Sequence, residues 1–349
     1  MKNSQINVAL CAFGMSGYVF HAPFIDLHPN LNFYGVFERT KNEAKKNYPT
    51  VKTFRSLEDI LVDDKVALVV VNTPNTTHYN FTKKVILAGK NVVVEKPFTV
   101  TVAEAEELVQ LAKDKNVLLS VYHNRRWDSD FKTVKRIIDK GILGDLVDVE
   151  IHYDRFEPDL SYKTHKELPI KGVGSLYDLG SHLIDQALQL FGMPKALFAN
   201  LDSFRNNSKV GDYFDVKLYY NNFYVNLKSS YFVRETLPGY ILHGKKGSFI
   251  KTKADIQEVE LQKGLKPNSK NWGIEPISEQ GLLHIEIEGE IIKKHILSEK
   301  GDYMEYYNGI SEAILNKTAV PVSAEDATDV IKIIEAAIKS SEEQQVVEL

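Results

Sequence analysis

The stretch Ile6-Asn7-Val8-Ala9-Leu10-Cys11-Ala12-Phe13-Gly14-Met15-Ser16-Gly17 passes from an apolar run directly into a glycine turn. The residues over 6–13 read as a strand covered on both faces, and the apolar spacing after Gly17 reads as a helix. A strand, a glycine turn and a helix in that order open a βα unit. In the fingerprint G-x-G-x-x-G, the second glycine lets the main chain approach a pyrophosphate and the third lets the helix pack on the strand. Gly14 and Gly17 hold those two places, with Ala12 at the first. The helix start offers unpaired N–H groups and a partial positive charge to such a phosphate. Phe13, Met15 and Ser16 belong to the same turn.

Outward from this turn the pattern repeats. Strands are expected over 32–37, 67–71, 91–95 and 118–122, and helices from 41 onward, over 77–88 and over 102–116. This alternation predicts an α/β domain on a doubly wound parallel sheet, spanning residues 1–121. Beyond about residue 145 the texture changes. Segments 146–155, 196–204, 213–220, 223–231, 240–244, 282–286 and 290–297 alternate apolar and polar residues, with short turns such as Asn221-Asn222 between them. Those are antiparallel hairpin signals. With helices over 176–190, 303–316 and 324–341, residues 122–349 read as an α+β domain with a mainly antiparallel open sheet.

Composition agrees and excludes several classes. A chain of 349 residues has room for about two domains of ~150 residues. Its net charge of −4 gives no basic surface for nucleic acid. The single cysteine, Cys11, rules out internal disulfides and a cysteine-rich zinc site, and fits a reducing compartment. The apolar run over 8–13 is far shorter than the ~18 residues of a membrane span, and no signal-peptide cleavage pattern follows it. A cytoplasmic protein without a membrane partner is expected.

The candidate functional residues stand where strands end, since open α/β sheets bind ligands beyond the carboxyl ends of their strands. Glu38 ends the second strand, where a carboxylate hydrogen-bonds the ribose of NAD and repels the 2′-phosphate of NADP. Arg39 and Lys41 beside it are good phosphate partners and argue the other way; a solvated turn of paired charges is the plainer alternative. Asn72-Thr73-Pro74-Asn75-Thr76-Thr77-His78 forms a polar loop after the next strand, in which Thr76 or Thr77 also suits a helix cap. Glu95-Lys96-Pro97 ends the strand after that. A lysine there can donate to a substrate oxygen and favour a developing alkoxide, and the proline can hold it on a fixed, even cis, turn. Tyr122-His123-Asn124-Arg125-Arg126-Trp127 follows the last strand and is expected to open onto a cleft between domains. There Asn124, Arg125 and Trp127 suit the nicotinamide end or substrate hydroxyls, while Arg126 suits a salt bridge equally well.

Asp178 and His182 lie four apart on an expected helix, on one face. A carboxylate orients an imidazole and makes it more basic, as needed to take a proton from an alcohol. A local Asp–His contact with no substrate is the bland alternative. Asp185 shares that face, but one histidine and two carboxylates are a thin ligand set, and no metal is expected. Tyr153, Arg155 and Tyr162 are weaker substrate candidates, and His21 suits a satisfied helix histidine better than a catalytic one.

These motifs occur in the order of one family. Together Ala12-x-Gly14-x-x-Gly17, the Thr73-Pro74-Asn75 loop with His78, Glu95-Lys96-Pro97 and Tyr177-Asp178-Leu179-Gly180-Ser181-His182 resemble the glucose–fructose oxidoreductase / inositol dehydrogenase (Gfo/Idh/MocA) family. Stretches 14–24, 121–127 and 176–192 look most like its NADP-dependent scyllo-inositol dehydrogenase branch. The resemblance implies a Rossmann domain holding NAD or NADP and a secondary alcohol–ketone interconversion on a cyclic polyol or sugar. It implies that Lys96 polarises the oxygen, His182 is the acid/base and Asp178 supports it. Cofactor contacts would come from Phe13, Gly14, Met15, Ser16, Gly17, Glu38, Arg39, Thr73, Pro74, Asn75, His78, Glu95, Lys96 and Asn124, and substrate contacts from Arg125, Trp127 and Tyr153. A homodimer or homotetramer is implied as well. Ala12 departs from the family's first glycine, and Glu38 stands where an NADP enzyme is expected to carry a small neutral residue, which leaves NAD against NADP open. Two rival readings are a non-catalytic dinucleotide or sugar sensor and redox-neutral, NAD-assisted sugar chemistry; the complete Lys96, Asp178 and His182 set favours the dehydrogenase.

Overall fold

The computed structural model describes residues 5–349, with residue 165 by its main chain only. The chain forms two compact units. The first is built on six strands: β1 (Ile6–Leu10), β2 (Leu31–Phe37), β3 (Lys52–Phe54), β4 (Leu68–Val71), β5 (Asn91–Glu95) and β6 (Leu119–Tyr122). They are parallel and ordered β3-β2-β1-β4-β5-β6. All of β4 and the valines of β5 are buried, as continuous apolar runs require when helices cover both sheet faces. The strand order reverses between β1 and β4, which makes their carboxyl ends the expected ligand edge.

Local chemistry sets the helix boundaries. A π-helical turn, Gly17–His21, leads into α1 (Ala22–Leu27). A short α2 (Ala44–Asn47) follows β2, and α3 (Leu57–Leu61) starts at a Ser56–Asp59 capping box. After β4 comes α4 (His78–Leu87). The Thr101–Glu104 capping box opens α5 (Val102–Lys115), and Asn116 ends it in the left-handed conformation.

The second unit holds α6 (Ser129–Asp139), β7 (Leu146–His152), α7 (Ser181–Phe191), β8 (Ala196–Asp202), β9 (Tyr213–Tyr219), β10 (Tyr224–Ser230), β11 (Tyr240–Gly244), β12 (Gly247–Lys251), β13 (Gly281–Ile287), β14 (Glu290–Ile296) and β15 (Val347–Glu348). Its nine strands run β14-β13-β12-β11-β7-β10-β9-β8-β15. Every pair is antiparallel except β7 with β10. Phe214, Val216 and Leu218 of β9 and Val225 and Leu227 of β10 are fully buried. α7 packs on β10 and α6 on β12. The alternate residues carry polar pairs such as Lys228–Asp215 at 3.1 Å. This is the one-faced alternation that the hairpin segments predict.

Two later segments belong to the first unit, Gln257–Trp272 with α8 (Gln257–Gln262) and Asp302–Thr328 with α9 (Met304–Asn316). The tyrosines at the start of α9 and just before it explain why. Tyr303, Tyr306 and Tyr307 are fully buried, and their rings meet Phe20, His21, Phe24, Tyr122 and Trp127 at 4.8–6.4 Å between centroids.

Candidate functional site

At the first candidate, the turn after β1, Asn72 holds the main chain of Ala12 at both ends. Its Oδ1 accepts the Ala12 N–H and its Nδ2 donates to the Ala12 carbonyl, each at 2.9 Å. The two glycines of the turn meet opposite surroundings. A Cβ on Gly17 would lie 2.5 Å from the Ala12 carbonyl oxygen, so a side chain is excluded by helix–strand packing. A Cβ on Gly14 would meet nothing within 4 Å. The chain itself gives no steric reason for glycine at 14, whereas a phosphate drawn close to the main chain does. The turn therefore fits a dinucleotide. Met15 is exposed, and Phe13 stacks on Phe33 at 6.3 Å.

Glu38 is turned inward. Its carboxylate accepts the N–H of Glu43 at 2.8 Å and of Ala44 at 3.3 Å, which satisfies main-chain donors at the start of α2. Arg55, which sequence reasoning missed, donates to the carbonyls of Glu38 (2.8 Å) and Lys41 (2.7 Å) and to Asn42 Oδ1 (2.7 Å). The loop is thus pinned from inside, and Arg39, Thr40 and Lys41 are exposed.

The loops after β4 and β5 are joined by His78. It is 1% exposed, with Nε2 2.9 Å from the Thr73 carbonyl and Nδ1 2.8 Å from the Pro97 carbonyl. Burial pulls its imidazole below the usual range, against the pull of the two carbonyls. His78, expected at the cofactor, ties two ligand-edge loops together. The Thr77 hydroxyl donates to the Pro74 carbonyl and lies within hydrogen-bond distance of Thr73 Oγ1, both at 2.7 Å, and does not cap α4. Asn75 Oδ1 accepts the Thr76 N–H at 3.0 Å. The Lys96–Pro97 bond is cis. Beside it, Glu95 accepts hydrogen bonds from Ser16 Oγ and, at 3.2 Å, from the Lys96 N–H, and its Oε1 is 2.9 Å from His21 Nε2. Burial pushes the Glu95 carboxyl up, but His21, Ser16 and the Lys96 charge outweigh it and leave it below the usual carboxylate range.

After β6, Asn124 is buried, Arg125 pairs with Glu258 at 2.7 Å and Arg126 with Asp326 at 3.0 Å. Trp127 packs edge-on against Tyr306 at 5.7 Å, and its carbonyl accepts from Asp302 N–H and Gln257 Nε2. Both arginines, including the expected substrate contact Arg125, thus hold ion pairs to residues of this same unit.

In the second unit a π-helical turn, Leu176–Gly180, precedes α7. π-turns recur at functional sites, and both in this structure lie in segments picked out by their motifs. His182, on the first turn of α7, is 5% exposed and its ring lies 6.5 Å from that of Tyr153. Asp178 pairs with Lys166 at 3.0 Å. The Tyr153 ring takes Lys253 Nζ at 5.1 Å on its face and the Arg155 guanidinium at 5.6 Å. Lys253 also donates to Tyr240 Oη at 3.0 Å. Burial and the Asp178 charge push the Tyr231 phenol up to about 12. Lys166, Tyr231 and Lys253 were not read from the sequence as site residues; Tyr231 stands at the end of the alternating segment 223–231, and all three come to Asp178 and Tyr153 only through the fold. Tyr162 is 88% exposed, with Lys163 over its ring, and Asp185 is buried within α7. Among the described residues no cluster of His, Cys, Asp or Glu could hold a metal, and no helix is long and apolar enough to cross a membrane.

Comparison with known proteins agrees with this geometry. Residues 6–123 match the model of the oxidoreductase family's NAD-binding Rossmann fold, and residues 135–349 that of its C-terminal α/β domain. The chain is 40% identical to scyllo-inositol 2-dehydrogenase (NADP(+)) IolW of Bacillus subtilis, over 100% of this chain and 97% of that protein. Among solved structures it resembles an oxidoreductase of Bacteroides fragilis (44% identity, TM-score 0.91, 99% of this chain and 100% of that one). It also resembles the oxidoreductase yvaA of Bacillus subtilis (40% identity, TM-score 0.96, 100% and 99%). With the doubly wound sheet, the glycine turn and the open mixed sheet all present, this chain belongs to the Gfo/Idh/MocA family and is an NAD(P)-dependent oxidoreductase.

Proposed function

We propose that the protein is a dehydrogenase that interconverts a secondary alcohol and a ketone on a cyclic polyol of the inositol type, using NADP in preference to NAD. The observation that carries the cofactor choice is the Glu38 carboxylate, engaged by the N–H groups of Glu43 and Ala44. A carboxylate so occupied is a poor partner for ribose hydroxyls, and Arg39 and Lys41 remain as exposed cations for a 2′-phosphate. The likeness to a named NADP-dependent scyllo-inositol dehydrogenase supports both the cofactor and the polyol.

When bound, the nicotinamide supplies the hydride acceptor or donor. The Lys96 ammonium donates a hydrogen bond to the reacting oxygen and favours the negative charge that grows there. His182 takes the hydroxyl proton in oxidation and returns it in reduction. Asp178, paired with Lys166, supports His182 electrostatically from one turn earlier. Tyr153 offers the substrate an aromatic face.

The test is absorbance at the reduced-nicotinamide band with purified protein, NAD+ or NADP+, and a panel of inositols and aldoses. Signal growth with an inositol and a preference for NADP+ is the expected result. Cofactor binding without turnover on any polyol would move the assignment to a sensor or to redox-neutral chemistry.

A further inference from the structure

One face of the second sheet carries a group that the reaction described above leaves unused. By the two-residue period of a strand, Tyr231 continues the buried row Val225, Leu227 and Ser229 of β10. Tyr153 and Arg155 continue Val149 and Ile151 of the neighbouring β7 in the same way. Main-chain bonds keep the two extensions together: the Arg155 N–H donates to the Ser230 carbonyl and the Glu157 N–H to the Tyr231 carbonyl, both at 2.9 Å. α7 packs on β10, and the π-helical turn that carries Asp178 packs on β9 and β10. The fold thus brings Tyr231 to the same end of the sheet as Tyr153 and Arg155, beside His182.

The ring of Tyr231 is held in place by a buried cation. Arg205 is 6% exposed, and its guanidinium stands 5.1 Å from the centre of the Tyr231 ring. Asp212 at 3.1 Å and both oxygens of Glu167, at 3.0 and 3.2 Å, fix the guanidinium there. The Tyr231 hydroxyl makes no hydrogen bond among the described residues. With its phenol pushed up to about 12, it keeps its proton through the neutral range. A half-buried phenol whose ring is fixed and whose hydroxyl has no protein partner can both donate to and accept from a ligand hydroxyl.

We propose that Tyr231 is a substrate-binding residue that sets specificity, its hydroxyl bonding a ring hydroxyl of the polyol away from the carbon that is oxidised. This rests on the reading of the substrate as a cyclic polyol with His182 as the acid/base. A contact to a hydroxyl that does not react is made alike in the ground state and the transition state, so its loss appears in KM. A site built to bond a hydroxyl also discriminates against the analogue that lacks it.

Tyr231→Phe tests this, because it keeps a ring against Arg205 and removes only the hydroxyl. On the inositol that wild type oxidises best, KM is expected to rise about tenfold, the size of one lost hydrogen bond, with kcat within about twofold. Mono-deoxy-inositols give the second arm. For the isomer that lacks the bonded hydroxyl, wild type should lose the same factor of about ten, and Tyr231→Phe should lose nothing further. A wild-type kcat/KM in Tyr231→Phe, or equal losses in both proteins for every deoxy isomer, overturns the inference and leaves the dehydrogenase reading standing. A readout without turnover is the 19F resonance of Tyr231 in protein labelled with 3-fluorotyrosine, assigned with Tyr231→Phe. It is followed while inositols and aldoses are added in the presence of NADPH. A resonance moved by a polyol that is not turned over supports the contact and counts against the dehydrogenase reading alone. A resonance that no member of the panel moves overturns the inference.

Discussion

The Glu38 carboxylate accepts the main-chain N–H of Glu43 at 2.8 Å, so the acidic residue at the end of β2 is committed to the chain's own turn. In sequence, Glu38 and Arg39 oppose each other as cofactor signals. In the fold they do different work: Glu38 completes the start of α2, and Arg55 holds the carbonyls of that loop while Arg39 faces solvent.

Substitutions at these two positions should therefore separate. Arg39→Ala is expected to weaken NADP(H) about tenfold or more, on the scale of a lost charge-assisted hydrogen bond, and to leave NAD(H) nearly unchanged. Glu38→Ala should cost about 1 kcal/mol as a lost cap and weaken both cofactors alike. Titration of intrinsic fluorescence with each cofactor decides it. Selective loss of NAD(H) in Glu38→Ala would restore Glu38 as a ribose ligand and sink the NADP preference.

In the second unit, His152 lies between Glu150 (2.9 Å) and Asp154 (3.2 Å). Burial pulls its imidazolium down, but the two carboxylates outweigh that and leave it above the usual histidine value of 6.5. A group with a raised folded pKa stabilises the fold below its unfolded pKa, and that contribution is lost as pH rises through the folded pKa. The urea midpoint of wild type should exceed that of His152→Gln most at pH 6 and below, and the gap should close on the alkaline side. A gap that is constant from pH 5.5 to 9 would show that the carboxylates do not hold the proton.

Much of this was legible in the sequence because local chemistry wrote it there. The valine runs of β4 and β5 and the glycine turn announce a parallel sheet, and the alternation in β9 and β10 announces a one-faced hairpin. Most of what was not legible depends on contacts far apart in the chain, and the rest on short or overlooked local signals. β3 is three residues long, and the amphipathic α6 follows directly on the Asn124–Trp127 segment, which drew attention to itself. β12 starts at a glycine and buries Lys251, whose ammonium is neutralised by Glu275 at 2.7 Å, so its polar residue hides a core position. The parallel pairing of β7 with β10 has no short-range signal. Neither does the return of Tyr307 to His21, nor the approach of Lys253 to Tyr153. The motifs thus mark the reacting groups, and the fold supplies the residues that hold them.

Lys96→Ala should lower turnover about 100-fold or more, the scale of one removed electrostatic stabiliser, while cofactor affinity stays within a few-fold. The comparison of kcat with the dissociation constant of NADPH checks it. Unchanged kcat would take Lys96 out of the chemistry.

The glycine turn supports the sharpest contrast. Neither Gly14 nor Gly17 has a positive φ, so alanine is compatible with the backbone at both, and only the surroundings differ. At Gly17 the new Cβ would stand 2.5 Å from the Ala12 carbonyl oxygen and 3.0 Å from Asn72 Nδ2, the groups that lock the turn to β4. Gly17→Ala should therefore cost about 1–3 kcal/mol of stability, as overpacking does, with cofactor affinity falling as the turn shifts. At Gly14 the new Cβ meets no protein atom within 4 Å. Gly14→Ala should melt as wild type does, within the roughly 0.5 kcal/mol of a neutral surface change. Its Cβ would instead stand where a pyrophosphate must approach the main chain, and NADP(H) affinity should fall about tenfold or more. Thermal melts of both variants with and without NADPH separate the two effects. Wild-type affinity in a stable Gly14→Ala protein would mean that the dinucleotide does not cross the turn at this residue.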